Sequence, residues 1–296
     1  MVGLHVGSTG TSLWLAWDLN TVLLFGLAMV GWLYFSGLRA STGRRRRLHP
    51  WWRPAVYYVA LAAIAIALVS PLDHLADELF VMHMAQHMLL MVVAPPLILL
   101  GAPMVPILRG IPRPVRRRVV APVLRQRTLR KALKYLSLPL IAWPLYAVTL
   151  LGWHTPAAYD LALRNEAAHV LEHFSFTVTA LLFWWNVIDS VPLRGNLSYI
   201  GRVPYVFLMT VPNFSLGAFL TFSEAAWYER YLAQELRWGL SAMDDQQLGG
   251  LIMWIPGALV LLTALLAVLV YTVFTEERLQ REREALALVG VRGAIR

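Results

Sequence analysis

The chain contains no cysteine. Disulfides, thiolate metal sites and cysteine nucleophiles are therefore excluded, and any soft metal ligand must be methionine. Charge is scarce too: 15% of residues are charged, where a soluble protein of this length carries roughly a quarter. Lysine is nearly absent, and Lys131 and Lys134 both fall in an arginine-rich loop. No late helix offers the Schiff-base lysine of a retinal protein. Nor does a basic stretch precede the first apolar segment, since the cluster Arg44–Arg47 follows it. That order is wrong for a cleaved signal peptide and suits an uncleaved first helix with an exported N-terminus.

What is present is apolar. The 296 residues are 58% hydrophobic, with a mean hydropathy of +0.57. Several stretches approach or reach the ~20 apolar residues that cross a bilayer. This predicts an all-α, polytopic membrane protein, one integral membrane domain over residues 1–296. Seven transmembrane helices are expected, near 19–36, 54–71, 79–100, 136–152, 168–188, 203–222 and 249–274. Pro95 and Pro96 predict a kink or break towards the inner end of the third span. The fourth, LSLPLIAWPLYAVTLLG, is the shortest and carries two prolines.

Orientation follows from Lys and Arg placement. With the N-terminus outside and the C-terminus inside, inner segments hold 23 of the 26 basic residues. Outer loops keep Arg164, Arg230 and Arg237, together with 12 of the 17 acidic residues. The basic inner loop RGIPRPVRRRVVAPVLRQRTLRKAL interleaves no aromatic residues for stacking on bases. Its arginines are expected to set topology and meet anionic lipid headgroups, and nucleic acid is not an expected partner.

Histidine distribution locates the candidate site. His5 and His49 lie apart. The other six, His74, His83, His87, His154, His169 and His173, fall in outer loops or outer halves of spans. His83 and His87, in HMAQHMLLM, share one helix face at i, i+4 spacing; so do His169 and His173 in HVLEH. Met84 and Met91 flank the first stripe and Met88 sits at its edge. Ionisable residues at membrane depth are functional candidates, though buried histidines also hydrogen-bond simply to hold helices together. Two outer segments reach the same layer. WHTPAAYDLALRNEAAH supplies His154, Tyr159 and Asp160. AMDDQQLGGLIMW supplies Asp244, Asp245 and, a turn or more deeper, Met253. Its aspartates suit either helix capping or, for Asp244, metal ligation or acceptance of an imidazole N–H.

Three chemistries fit. Imidazole with thioether suits copper. One histidine from each of two helices would ligate a b-type haem. His169-Val-Leu-Glu172-His173 matches the inverted zincin pattern His-x-x-Glu-His, with Glu172 as general base of a zinc hydrolase. The site expected first is a copper site open to the outer face. His83, His87, His169 and His173 are its ligands, and His154, Met91, Met253 and Asp244 are further candidates. His74, Asp160, Glu172, Met84 and Met88 stand behind them.

Three ordered blocks also resemble a known family. SPLDHLADELFVMHMAQHMLLMVVAPPLILLGAP, WHTPAAYDLALRNEAAHVLEHFSFTVTALLFWW and DDQQLGGLIMW look like signatures of the seven-span CtaG-type cytochrome c oxidase assembly factors. The single-span copper chaperone of the same name is unrelated. The resemblance covers roughly residues 15–275. It implies a bacterial inner-membrane protein that helps assemble haem–copper oxidase through copper supply and contacts oxidase subunits, an assembly and metal-delivery role that ranks ahead of the enzymatic alternative with Glu172 as general base. The histidines it matches are His74, His83, His87, His154, His169 and His173, with Asp160 and Asp244.

Overall fold

A computed structural model describes residues 17, 20–41, 49–192, 194–234 and 238–294, apart from the side chains of 229, 233–234 and 285–294. His5 and Arg44–Arg47 lie outside the described residues. Every described element is helical. In chain order they are α1 (Thr21–Arg39), α2 (Trp52–Val69), α3 (Pro71–Ala76), α4 (Phe80–Leu100), α5 (Met104–Gly110), α6 (Arg127–Leu136), α7 (Pro139–Trp153), α8 (Pro156–Arg164), α9 (Glu166–Val187), α10 (Tyr199–Thr221) and α11 (Ala242–Ala294). Short helical turns occupy 113–125, and a 3-10 turn, Glu229–Gln234, covers the end of the bundle that holds the histidines.

Helices α1, α2, α4, α10 and α11 are each long and apolar enough to cross a membrane. The chain is therefore a multi-pass membrane protein. A sixth span results if α6 and α7, bent by 72° around the break before Pro139, count as one. At 22 residues α9 is long enough, but its own site residues, Glu166, His169, Glu172 and His173, lower its hydropathy. Each of the seven segments expected to span is helical.

Two local devices position α4. The helix passes Pro95 and Pro96 without breaking, because Leu89–Val93 winds as a wider π turn in which Ala94 N–H reaches the Leu89 carbonyl. The prolines lack N–H donors, and the wider turn absorbs the resulting shift in the hydrogen-bond ladder. It sits one turn past His87. At the other end, the first N–H groups of α4 find no acceptor on their own helix. The carboxylate of Asp245, on α11, accepts from Phe80 N–H at 2.6 Å and Val81 N–H at 3.0 Å. A helix N-terminus leaves such donors unpaired, so an aspartate 165 residues away in sequence acts as its cap.

Glycines allow the close contacts of α11. A Cβ on Gly249 would lie 2.4 Å from the Phe80 ring, and one on Gly250 2.7 Å from Thr221 N. Small residues of this kind let membrane helices approach backbone to backbone. At the opposite end, Arg202 Nη2 pairs with Asp189 Oδ1 at 2.8 Å and Nη1 donates to the Val187 carbonyl at 3.0 Å. This ties the loop after α9 to α10.

Candidate metal centre

Helices α4 and α9 bring their histidine pairs face to face. The His83 and His87 ring centroids are 4.3 Å apart, as are those of His169 and His173. Across the gap, His83 lies 5.4 Å from His169 and 6.0 Å from His173, and His87 lies 5.4 Å from His173. His154, at the end of α7, adds a fifth ring 5.7 Å from His87.

Glu172 occupies the middle. One carboxylate oxygen is 3.8 Å from His83 Nε2 and the other 3.6 Å from His87 Nε2. These separations are too long for hydrogen bonds. They lie a few tenths of an ångström beyond the roughly 3.3 Å ligand-to-ligand edge of a tetrahedral site with ~2.0 Å metal bonds. Potential ligand atoms of His83, His169, Glu172 and His173 all fall within 4.8 Å of one another.

Both ring nitrogens of His83 and His87, Nε2 of His154, His169 and His173, and both Glu172 oxygens are buried without a hydrogen-bond partner among the described residues. Glu172 and His83 are fully buried. Leaving so many polar groups unpaired in a low-dielectric interior is costly, and a bare buried carboxylate most of all. A cation held among them satisfies the set at once. The tautomer of His154 is set by the backbone: its Nδ1 sits 2.7 Å from the Leu150 carbonyl. The carbonyl can only accept, so Nδ1 carries the proton and the buried Nε2 keeps its lone pair.

An aromatic roof closes the site towards the loop between α10 and α11. Tyr231 donates its hydroxyl hydrogen to the Ala76 carbonyl at 3.1 Å. That leaves Tyr159 as donor in the 2.8 Å bond between the two hydroxyls. Tyr228 donates to the His154 carbonyl at 2.9 Å and stacks on Phe80 at 4.7 Å. Burial pushes the Tyr228 and Tyr231 phenols above their ordinary range, so both remain neutral donors.

Not every candidate converges. Asp244 is exposed and bonded to Ser241, 2.6 Å away; the buried partner is Asp245, which caps α4. Asp160 pairs with Arg164 at 2.5 Å. His74, on α3, faces Glu78 at 3.7 Å. Met84, Met91 and Met253 are buried in the apolar core around the site, Met84 against α11 near Gly249 and the half-buried Met88 near Gly257. Sequence reasoning missed the cross-helix role of Asp245 and the roof formed by Tyr228 and Tyr231. The phenols had no signal beyond lying in an outer loop.

A bundle of apolar helices enclosing a histidine–carboxylate cluster is the context in which relatives become informative. The family model described as cytochrome c oxidase caa3 assembly factor (Caa3_CtaG) matches residues 32–274. The chain belongs to this family. Among curated proteins, this chain is 30% identical over 122 residues to Mb0105 of Mycobacterium bovis and to MT0111 of Mycobacterium tuberculosis, both named as uncharacterized proteins. Those alignments cover 40% of this chain and 18% of each relative. No solved structure matches the fold.

Proposed function

We propose that this assembly factor binds copper as cargo at the His83/His87–His169/His173 cluster and passes it to an oxidase subunit during assembly. The observation that carries this reading is the set of buried imidazole nitrogens and Glu172 oxygens without partners. Imidazole with carboxylate suits borderline divalent ions, Cu(II) among them. Met91 and Met253, deeper on α4 and α11, are the thioethers available to a reduced ion. In this reading the chain makes seven spans in a bacterial inner membrane. Its N-terminus and the metal site face outwards, and its basic inner segments face an anionic leaflet.

One observation favours a second reading. Glu172 lies 3.6–3.8 Å from two imidazole nitrogens, a position from which a carboxylate serves as general base beside a zinc-bound water. Metal analysis and an absorption spectrum of the purified protein separate the two. Copper near one per chain, lost in the His83→Ala/His87→Ala variant, is the expected result. Zinc at one per chain supports the hydrolase, and a Soret band indicates haem. Unchanged copper in the double variant overturns the ligand assignment.

A further inference from the structure

At the end of the bundle remote from the His83/His87–His169/His173 cluster, a cavity of about 590 Å³ opens between three inner segments. Its polar wall is Ser41, His49, Arg109 and Arg116; its apolar wall includes Leu108 and Pro192. We propose that it binds the phosphate of an anionic lipid headgroup. The proposal deepens the reading that basic inner segments meet an anionic leaflet, and it is independent of which metal occupies the outer site.

Backbone packing builds this wall. α5 (Met104–Gly110) turns back against α1, with a Cβ on Gly37 meeting the Pro106 carbonyl and one on Gly110 meeting the Leu33 carbonyl. Only hydrogen fits at either position, so Arg109, next to Gly110, is held at a fixed height. Its Nη1 donates to Ser41 Oγ at 2.9 Å, and Ser41 in turn donates to the Gly37 carbonyl at 2.8 Å. Arg116 Nη1 donates to the Leu108 carbonyl at 3.1 Å. Each guanidinium is thus anchored through one nitrogen and keeps further N–H donors, the fork geometry that suits phosphate oxygens. Among the described residues neither guanidinium pairs with a carboxylate.

The surroundings favour a lipid over a free anion. Met104, Val115, Val119 and Val123, in the same inner segment, expose apolar side chains among the arginines. Such a mixture places the segment at the headgroup boundary, with arginine stems in the apolar layer and charges at phosphate depth. Val105, Leu108, Val191 and Pro192 then face the glycerol and upper acyl region of a bound lipid.

Native mass spectrometry of the purified full chain tests this, using dioleoyl phosphatidylglycerol, dioleoyl phosphatidylcholine and inorganic phosphate as separate probes. One phosphatidylglycerol per chain is expected, with retention falling at least about tenfold in Arg109→Gln/Arg116→Gln. Lys131→Gln/Lys134→Gln, which removes equal charge from the exposed helix α6, should retain the lipid. Equal loss in both double variants means diffuse attraction and overturns the site. Equal retention of phosphatidylcholine also overturns it, and phosphate binding without lipid binding reassigns the cavity to a free anion. Unchanged metal content and an unchanged thermal transition show that the arginine variant is folded. Neither readout depends on the lipid result, so failure of this proposal leaves the copper reading standing.

Discussion

At the residue scale, Glu172 is the side chain on which the cluster turns. It lies between the two pairs, on α9 but within 4 Å of both α4 histidines. Glu172→Gln keeps the shape and removes the negative charge that offsets a bound cation. Metal affinity should fall by about 10–100-fold, measured by chelator competition, while the helical content stays constant. A variant binding metal as tightly as the parent would show that the carboxylate is not part of the donor set. The two His-x-x-x-His pairs were legible because i, i+4 spacing fixes a shared helical face. Asp160 shares the outer segment of His154 and Tyr159, and Arg164 one turn away pairs with it. Nor does sequence tell Asp244 from Asp245: adjacent helical positions differ by about 100° in direction, and only the packed neighbour decides which one is buried.

At the element scale, α4 depends on α11 for its N-terminal cap. Asp245→Ala leaves two buried N–H groups, those of Phe80 and Val81, without acceptors. The expected cost is about 2–4 kcal/mol from ~1–2 kcal/mol per unsatisfied donor, read as a lower thermal transition. Metal affinity should fall with it, because His83 lies one turn from the freed end. Asp245→Asn, which keeps one acceptor oxygen, should lose less of both. Helix positions were readable from apolar run lengths, including the short α7. Where Pro95-Pro96 predict a kink or break, the helix runs on through a π turn, since widening the ladder accommodates missing donors without unfolding the segment.

At the scale of the whole molecule, the histidine–carboxylate site and the Asp245 cap lie at one end, and the arginine-lined cavity at the other. The natural absence of cysteine makes the orientation directly measurable. A single cysteine at Glu224→Cys, exposed beyond α10, should react with a membrane-impermeant maleimide on intact cells. One at Lys131→Cys, exposed on α6, should react only after permeabilisation. The reverse pattern would invert the topology and put the metal cluster on the inner side.

Sequence by itself determined the helical membrane class and the two histidine pairs, because apolar run length and helical periodicity are local properties, and its three ordered blocks carried the resemblance to the family. Tertiary structure alone decided that Glu172 sits between the two pairs, that Nδ1 of His154 is the nitrogen held by a backbone carbonyl, that Asp245 rather than Asp244 is buried, and that two arginines line a cavity at the other end of the bundle. Those facts depend on which helix lies against which, and contacts spanning up to 165 residues leave no periodic trace in the chain.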